Sequence, residues 1–262
     1  MKILTVQFDP GKSNYYKRLY DVFKVSVERN IPGADFVNIR IPCPERVTSV
    51  AKNLTYNTEK LNIWADYVKN TDDDIILADC DMLCTGDPSR IFLTNFDIGI
   101  TFKTCEIKKS PMNGGIVFVK NTEKATNFIE LWRDVNAQMY KDRHFHIEWQ
   151  NKYLGMNQAA FGYIYEILKP ELTMLELPTI KYNAVDCDWK NVDEDTFFIH
   201  IKSELRRMVL MNMEPDREFA YCMREWYKYQ ALVPEEAPIV KQPKLKNQKI
   251  KYRRIRRRGR RI

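Results

Sequence analysis

Two carboxylates stand two residues apart at the end of a continuous apolar run, in Asp79-Cys80-Asp81. The run, residues 75–78, is typical of a parallel strand that is buried on both faces. In extended backbone, side chains two residues apart point the same way, so we expect both carboxylates to reach one cation. Magnesium and manganese prefer oxygen ligands and often bind through carboxylates together with substrate phosphates. A solvated acidic turn is the alternative interpretation.

A histidine and a lysine lie two residues apart late in the chain. His200 is one of three histidines and lies in residues 197–201, which read as a strand. Lys202 follows two residues later, so both side chains share a face if the backbone is extended. An imidazole with two carboxylates suits manganese, and an ammonium group suits a diphosphate. A hydrogen-bonded core histidine beside a surface lysine is the alternative.

Apolar patterns predict the elements that would position these side chains. Strands are predicted at residues 2–8, 36–41, 75–78, 98–102, 115–119 and 197–201. Helices are predicted at residues 16–29, 60–69, 127–140, 157–168 and 218–229. Early strands that alternate with helices imply βαβ units and a mainly parallel sheet, in which ligands bind at the carboxyl ends of the strands. We therefore expect an α/β fold with the acidic pair at that edge.

Length and composition are those of a globular protein. The chain has 262 residues, with 44% hydrophobic and 29% charged, which suits one large α/β domain. No run approaches the roughly 18 apolar residues of a membrane span, and the N-terminus lacks the pattern of a signal peptide. We expect a protein kept in a cytoplasm, bacterial or that of a virus-infected host cell. Its six cysteines are expected to be reduced and mostly buried.

The positive charge is concentrated at the C-terminus. Residues 239–262 contain twelve lysines and arginines and no acidic residue, whereas the whole chain carries a net charge of +7. Such a segment buries too little apolar surface to fold alone. We expect a folded domain over residues 1–238 and a disordered basic tail over residues 239–262.

Four stretches together resemble a known family. Residues 75–83, with Asp87-Pro88 after them, resemble the metal-binding segment of glycosyltransferases with the type A fold, especially the glycogenin and galactosyltransferase group called family eight. Residues 112–118 resemble that group's Asn-x-Gly strand, residues 155–160 its Asp-Gln helix start, and residues 198–202 its late His-x-Lys segment. The resemblance covers roughly residues 1–210.

The resemblance implies a Rossmann-like nucleotide-diphospho-sugar transferase domain and a role for each matching residue. The ligands of Mn²⁺ or Mg²⁺ would be Asp79, Asp81 and His200. The donor, a nucleotide-diphosphate sugar and most simply a UDP-sugar, would be contacted by Asn113, Gly114 and Lys202, and the reacting sugar by Asn157 and Gln158. Apart from the resemblance, Lys60 at the start of a predicted helix is either a further donor contact or a surface charge. Transfer would go to a hydroxyl with retention of the anomeric configuration.

Two positions depart from the family pattern. Asn157 stands where the family has Asp, and Ser203 stands where it has Gly. The first change puts an amide where a carboxylate would otherwise contact the sugar or the reacting carbon.

Two parts of the sequence bear on the identity of the acceptor: the basic tail and one internal segment. An arginine-rich tail can neutralise many phosphates, so it favours a polyanion, nucleic acid before an anionic membrane surface. A hydroxylated base in viral DNA is one acceptor of this kind, and lipopolysaccharide or another membrane glycan is the alternative. His144 and His146 are predicted to face solvent in a variable loop, and Trp149 or Tyr153 to stack on an acceptor ring.

Two other classes of protein fit parts of the sequence. One is a non-catalytic nucleic-acid-binding protein on a degenerate transferase fold. The other is a nucleotidyltransferase, which also uses paired carboxylates and a divalent metal. Residues 9–13 contain Gly-Lys-Ser but lack the earlier glycine of a phosphate-binding loop, which argues against the nucleotidyltransferase.

Overall fold

The computed structural model describes residues 1–9, 15–42, 49–104 and 110–234. The basic tail lies outside the described residues. The strands are β1 (Lys2–Asp9), β2 (Asp35–Pro42), β3 (Ile75–Asp79), β4 (Met82–Cys84), β5 (Ile98–Phe102), β6 (Met112–Val119), β7 (Met174–Pro178) and β8 (Phe198–His200). The helices are α1 (Tyr15–Asn30), α2 (Ser49–Lys69), α3 (Glu123–Lys141), α4 (Arg143–Gln150), α5 (Met156–Tyr163), α6 (Thr179–Tyr182), α7 (Ser203–Leu210) and α8 (Ala220–Gln230).

Six strands form the central sheet in the order β2-β1-β3-β6-β5-β7. The pairs β1–β2, β1–β3 and β5–β7 are parallel, whereas β6 is antiparallel to both of its neighbours. Five strands therefore share one direction, which confirms the mainly parallel sheet. Because β3 is central and ends at Asp79, the first carboxylate lies at the carboxyl edge of the sheet.

A two-stranded ribbon adds the C-terminal part of the chain to this edge. β4 pairs antiparallel with β8, and the register places Met82 opposite His200. The backbone N–H of Ile201 also donates to the carbonyl oxygen of Asp81 (2.8 Å). The residue after the acidic pair is therefore held directly beside the late histidine.

Helices cover both faces of the sheet. On one face α2, α3 and α5 pack on the apolar side chains of the strands, around Trp64, Trp132 and Phe161. On the other face α1 contributes Phe23 and Val27 to a second apolar cluster. A third cluster joins α1, α7 and α8 around Trp226. These three clusters hold the sheet, the ribbon and the last helices together.

The spacing of apolar side chains explains why these segments are helical. In α3 the buried residues Phe128, Trp132, Val135 and Met139 recur every three or four positions. The hydroxyl of Thr122 caps the helix by accepting from the N–H of Ala125 (3.1 Å). The helix therefore has one defined start and one defined apolar face.

Several predicted boundaries and two predictions about local structure were wrong. α2 begins eleven residues before the predicted start at residue 60, and the segment that contains His144 and His146 is the helix α4, not a loop. The short elements β4, β7 and α7 were not predicted. Of the cysteines, Cys80, Cys84 and Cys222 are free thiols, as expected, but Cys187 is disulfide-bonded. In the described part of the chain, no helix combines the length and the apolar character that crossing a bilayer requires.

Candidate functional site

The acidic pair straddles a turn. Asp79 is the last residue of β3, and Cys80 and Asp81 form the turn that leads into β4. The backbone between the carboxylates is thus not extended, which corrects the reasoning that predicted their common direction. The two carboxylates nevertheless converge, because the turn brings Asp81 back beside the end of β3. Strand β8 then places His200 next to both carboxylates. Burial raises the pKa of the Cys80 thiol, which therefore stays protonated.

Asp79, Asp81 and His200 lie together. Nε2 of His200 is 3.4 Å from Oδ1 of Asp81 and 3.9 Å from Oδ2 of Asp79. One ligand atom from each of the three residues lies within 4.8 Å of the others. Only 7% of Asp81 and 6% of His200 is exposed, whereas the carboxylate of Asp79 is more open. Two oxygens and one nitrogen thus point at a common space.

A cation holds the outer oxygen of each carboxylate. Nζ of Lys60 on α2 donates to Oδ1 of Asp79 (2.5 Å), and Nη2 of Arg206 on α7 donates to Oδ2 of Asp81. Nε of Arg206 also donates to the carbonyl oxygen of Ile201 (3.0 Å), which orients the guanidinium group. The inner oxygens remain directed at His200. Lys60 was predicted from the sequence as a donor contact; Arg206 was missed, since α7 was not predicted.

The charges explain how Asp81 stays ionised although it is buried. Burial alone would raise the pKa of the Asp81 carboxyl group. The charge and the hydrogen bond of His200, together with the charge of Arg206, outweigh burial and bring that pKa well below its ordinary value. Asp81 is therefore a carboxylate at neutral pH.

Gly115 permits the close packing beside His200. A Cβ atom at Gly115 would lie 2.6 Å from Cε1 and 2.7 Å from Nδ1 of His200, and 2.8 Å from Oδ1 of Asn113. At Gly114 an added Cβ would meet only the ring of Trp132 at 3.6 Å, an ordinary contact. The packing beside His200 therefore requires Gly115, and the donor contact predicted for Gly114 stays a prediction.

Asn113 belongs to a buried polar network. Its Oδ1 accepts from the backbone N–H of Gly115 (2.9 Å) and from Nδ2 of Asn183 (2.9 Å). Nδ2 of Asn183 also donates to Oγ1 of Thr101 (2.8 Å), which in turn donates to the carbonyl oxygen of Asn113 (2.8 Å). Asn183 and Thr101 were missed in the sequence, because single polar residues give no signal without their spatial partners.

The two residues at the start of α5 differ in their contacts. Asn157 is 7% exposed, and both polar atoms of its side chain are buried without a hydrogen-bond partner in the described part of the chain. The amide nitrogen Nε2 of Gln158, by contrast, already donates to Oγ of Ser110 (2.6 Å) and to the carbonyl oxygen of Leu154 (2.6 Å). Asn157 therefore has free hydrogen-bonding capacity, and Gln158 has only its oxygen to offer.

Lys202 lies beyond the end of β8, so the predicted common strand face with His200 does not exist. Its Nζ is 3.4 Å from Oδ1 of Asp186. Burial and the nearby charge of Lys202 lower the pKa of Lys103, which follows β5. The two lysines thus lie close enough for each charge to affect the other.

Ser203 explains one departure from the family pattern. Its φ of +47° lies in the left-handed region, which glycine adopts at no steric cost. The backbone conformation that a glycine would favour is therefore kept here with a serine.

Two predictions about the acceptor region were wrong in part. His146 is 1% exposed, so it does not face solvent, although His144 does. Tyr153 is 2% exposed and its hydroxyl donates to Glu166 (2.6 Å), which leaves no ring face for an acceptor. Trp149 is half-buried against Tyr163, with ring centroids 5.4 Å apart.

Solved structures with similar folds are glycosyltransferases. One, involved in the glycosylation of the major capsid of PBCV-1, matches with a TM-score of 0.56 and 15% identity over 81% of this chain and 100% of its own. GlyE of Streptococcus pneumoniae TIGR4 matches with 0.53 and 13% identity over 87% of this chain and 60% of its own. The galactosyltransferase LgtC, in complex with donor and acceptor sugar analogues, matches with 0.53 and 8% identity over 90% of this chain and 98% of its own.

The similarity to known proteins is found at the level of structure and not at the level of sequence. No family model matches the chain, and no curated protein matches it. At these identities the likeness establishes the type A glycosyltransferase fold, as the sequence predicted.

Proposed function

We propose that the protein is a metal-dependent glycosyltransferase that transfers a sugar from a nucleotide-diphosphate donor, most simply a UDP-sugar, to a hydroxyl group. The observation that carries the proposal is the convergence of Asp79, Asp81 and His200 within 4.8 Å at the carboxyl edge of the sheet. The shared fold of three glycosyltransferases supports it.

The chemistry of the three side chains fits a divalent cation. Two carboxylate oxygens and one imidazole nitrogen form a mixed set that suits Mn²⁺, and Mg²⁺ to a lesser extent. The other oxygen of each carboxylate is bonded to Lys60 or Arg206, so the inner oxygens are oriented in advance. When bound, the cation would neutralise the charge that develops on the leaving diphosphate.

The surrounding cations shape the charge of the site. Lys60 and Arg206 balance the two carboxylates, so the protein alone supplies little net negative charge to a cation. With a divalent ion the site becomes positive, which a diphosphate can neutralise. Lys202 would add positive charge on the diphosphate, as predicted from the sequence.

The polar network would orient the donor sugar. Asn113 and Asn157 have amide groups that are incompletely hydrogen-bonded within the described residues, and Gln158 retains a free oxygen. Hydroxyl groups of a sugar can supply the missing partners. We name no protein base, because the departing phosphate can take the proton of the acceptor hydroxyl, and we propose retention of the anomeric configuration.

The donor reaction is tested by screening nucleotide sugars for Mn²⁺-dependent release of the nucleotide. Asp79→Asn and Asp81→Asn should each lower release by at least about a hundredfold, since each removes a charged ligand. Asp87→Asn is the matched control, because the exposed Asp87 only accepts a hydrogen bond from the N–H of Ser89. Release that persists in both site variants, or release from no nucleotide sugar at all, would reject the proposal.

For the acceptor we propose a polyanion that the basic tail recruits to the domain of residues 1–238. The twelve positive charges of residues 239–262 carry this part of the proposal. Nucleic acid is favoured, with a hydroxylated base in DNA as one acceptor, because the tail is rich in arginine and contains no tryptophan or phenylalanine. A glycan on an anionic membrane is the second candidate.

A truncation separates the tail from the chemistry. Removal of residues 239–262 should leave nucleotide release unchanged and weaken binding to duplex DNA in a salt-dependent manner. Vesicles with and without anionic lipid form the second arm of the experiment. Binding to vesicles alone would favour a membrane glycan, and DNA binding without any nucleotide release would favour a non-catalytic nucleic-acid-binding protein.

A further inference from the structure

The orientation of the Asn113 amide is fixed by its neighbours. The backbone N–H of Gly115 can only donate, so the side-chain atom of Asn113 that lies 2.9 Å from it must be the acceptor Oδ1. The same Oδ1 lies 2.9 Å from one side-chain atom of Asn183, which must then be the donor Nδ2. The amide nitrogen of Asn113 is thereby turned away from both groups.

The hydrogen-bond donors and acceptors around Asn183 allow only one orientation of its amide group. Its Nδ2 has two protons, and the two nearest acceptors are Oγ1 of Thr101 (2.8 Å) and Oδ1 of Asn113 (2.9 Å). The proton of Thr101 is already given to the carbonyl oxygen of Asn113 (2.8 Å). A rotated Asn183 would place its oxygen against the Oδ1 of Asn113, so that two acceptors would face each other.

This arrangement leaves one polar atom of Asn183 without a hydrogen-bond partner among the residues that the structure describes. The residue is fully buried, and its Oδ1 has no hydrogen-bond donor in the described part of the chain. Buried amides ordinarily satisfy both ends. The unpaired oxygen is the cost of a side chain whose nitrogen is committed to Thr101 and Asn113.

Asn183 is also connected to the metal-binding group through the backbone. The next residue, Ala184, accepts a hydrogen bond from the N–H of His200 (2.9 Å) and donates to the carbonyl oxygen of Phe198 (2.8 Å). Gly115 touches Asn113 on one side and His200 on the other. One connected set of hydrogen bonds and close contacts therefore joins the imidazole to the Asn113 amide.

We propose that Asn183 is a positioning residue that locks Asn113 so that only its NH₂ group faces the donor sugar. The group of the sugar that Asn113 reads must then be a hydrogen-bond acceptor, such as a hydroxyl oxygen used through its lone pair. The Nδ2 of Asn113 has no acceptor among the described residues and is left for this contact. The inference deepens the proposed function and rests on it.

The first experiment compares Asn183→Asp with Thr196→Val, on the donor found by nucleotide release. A carboxylate introduced at position 183 cannot donate to Oδ1 of Asn113, so the KM for the donor should rise about tenfold, the size of one hydrogen bond, with unchanged dependence on Mn²⁺ concentration. Thr196→Val also removes the hydrogen bond of a buried threonine, from Oγ1 of Thr196 to the carbonyl oxygen of Ile180 (3.0 Å), but lies outside the network of Asn183 and Asn113, so its KM should stay within about twofold of the wild type. Equal KM values for the two variants would overturn the proposal.

The second experiment does not depend on the folding of either variant. Deoxy and deoxyfluoro analogues of the donor, altered at each sugar hydroxyl in turn, are measured as competitive inhibitors of the wild-type enzyme. Fluorine accepts weakly but cannot donate. At one sugar position the deoxy analogue should bind about tenfold more weakly than the unmodified donor. The fluoro analogue altered at the same position should bind more tightly than the deoxy analogue.

The variant Asn113→Asp exchanges the donor that faces the sugar for an acceptor. Its carboxylate can still accept hydrogen bonds from Gly115 and Asn183, but it presents an oxygen to the sugar in place of the NH₂ group. In this variant the fluoro analogue should bind no better than the deoxy analogue. The inference would be overturned if the wild-type enzyme releases nucleotide but the fluoro analogue binds no better than the deoxy analogue at any sugar position. That result would leave the proposed function intact. Absence of nucleotide release from every donor would instead reject the proposed function.

Discussion

The guanidinium group of Arg206 holds the outer oxygen of Asp81, and the inner oxygen of the same carboxylate lies 3.4 Å from Nε2 of His200. Together with His200, the arginine thus keeps a buried carboxylate ionised, and it directs the other oxygen of that carboxylate toward the imidazole. Lys60 holds the outer oxygen of Asp79 in the same way. Both cations therefore act on the two carboxylates that face the imidazole.

Arg206→Gln should destabilise the protein, because it leaves a buried carboxylate with one partner fewer. We expect a loss of about 2 kcal/mol in the free energy of unfolding, measured by urea denaturation, together with loss of nucleotide release. Arg207→Gln is the control on the same helix, since Arg207 pairs with the exposed Glu204 at the surface. Similar losses in the two variants would contradict the role of Arg206.

Mn²⁺ should bind weakly alone and at least about tenfold more tightly when a nucleoside diphosphate is present. The reason is that Lys60 and Arg206 already balance the carboxylates, so the added charge needs an anion beside it. Titration calorimetry with Mn²⁺, with and without UDP, measures the effect.

Lys60→Met should tighten the binding of Mn²⁺ alone, because it removes the cation that competes for Asp79. Lys69→Met is the control on the same helix, where the lysine pairs with Glu130 at the surface. Weaker binding of Mn²⁺ alone in Lys60→Met would count against this description of the charges.

Gly115→Ala should disrupt the site, whereas Gly114→Ala should be tolerated. The added methyl group at Gly115 would lie within 2.6 Å of the His200 ring, but at Gly114 it would meet Trp132 at 3.6 Å. Overpacking of this kind costs roughly 1–3 kcal/mol. Thermal melting and nucleotide release should both separate the two adjacent variants, and equal behaviour would show that the His200 ring yields easily.

Acidification should destabilise the fold through His146. Nδ1 of this buried side chain lies 3.0 Å from Nη1 of Arg143, which can only donate, so Nε2 carries the proton and has no acceptor among the described residues. Burial and the charge of Arg143 lower the pKa of His146 in the folded state below its ordinary value of 6.5. Below that pH the unfolded chain binds the proton and the folded chain does not, so stability falls as the pH drops.

The pH effect is measured as the midpoint of urea denaturation between about pH 8 and pH 5.5, a range that spans the ordinary titration of histidine. One proton contributes at most about 1.4 kcal/mol for each pH unit. His146→Phe should reduce the slope, and His144→Gln, on the exposed side of α4, should leave it unchanged. An unaltered slope in His146→Phe would assign the acid sensitivity to other groups.

The sequence predicted the sheet and the acidic pair because each depends on a local pattern. The apolar run before Asp79 marks a buried strand whatever surrounds it, and the parallel order places its end at the ligand-binding edge. The histidine could be matched to the acidic pair only through the resemblance, since nothing local pairs His200 with Asp81.

Residues that act through distant partners could not be predicted. Arg206 lies on α7, whose short pattern gives little helical signal, and its partner Asp81 is 125 positions earlier. Asn183 has significance only beside Thr101 and Asn113, to which the chain returns after 70 or more residues. The predicted exposure of His146 failed for a related reason: histidine is common at surfaces, and only tertiary packing buries it.

The ribbon of β4 and β8 makes the reactive edge depend on the last third of the chain. A polypeptide that ends before Phe198 would still contain every strand of the six-stranded sheet, yet it would lack the imidazole, Arg206 and the backbone pairing that orients Asp81. Contacts across so many residues form late, because the intervening loop must close first. A cation site at this edge is therefore expected to require the pairing of one short strand with its partner, although neither strand belongs to the six-stranded sheet.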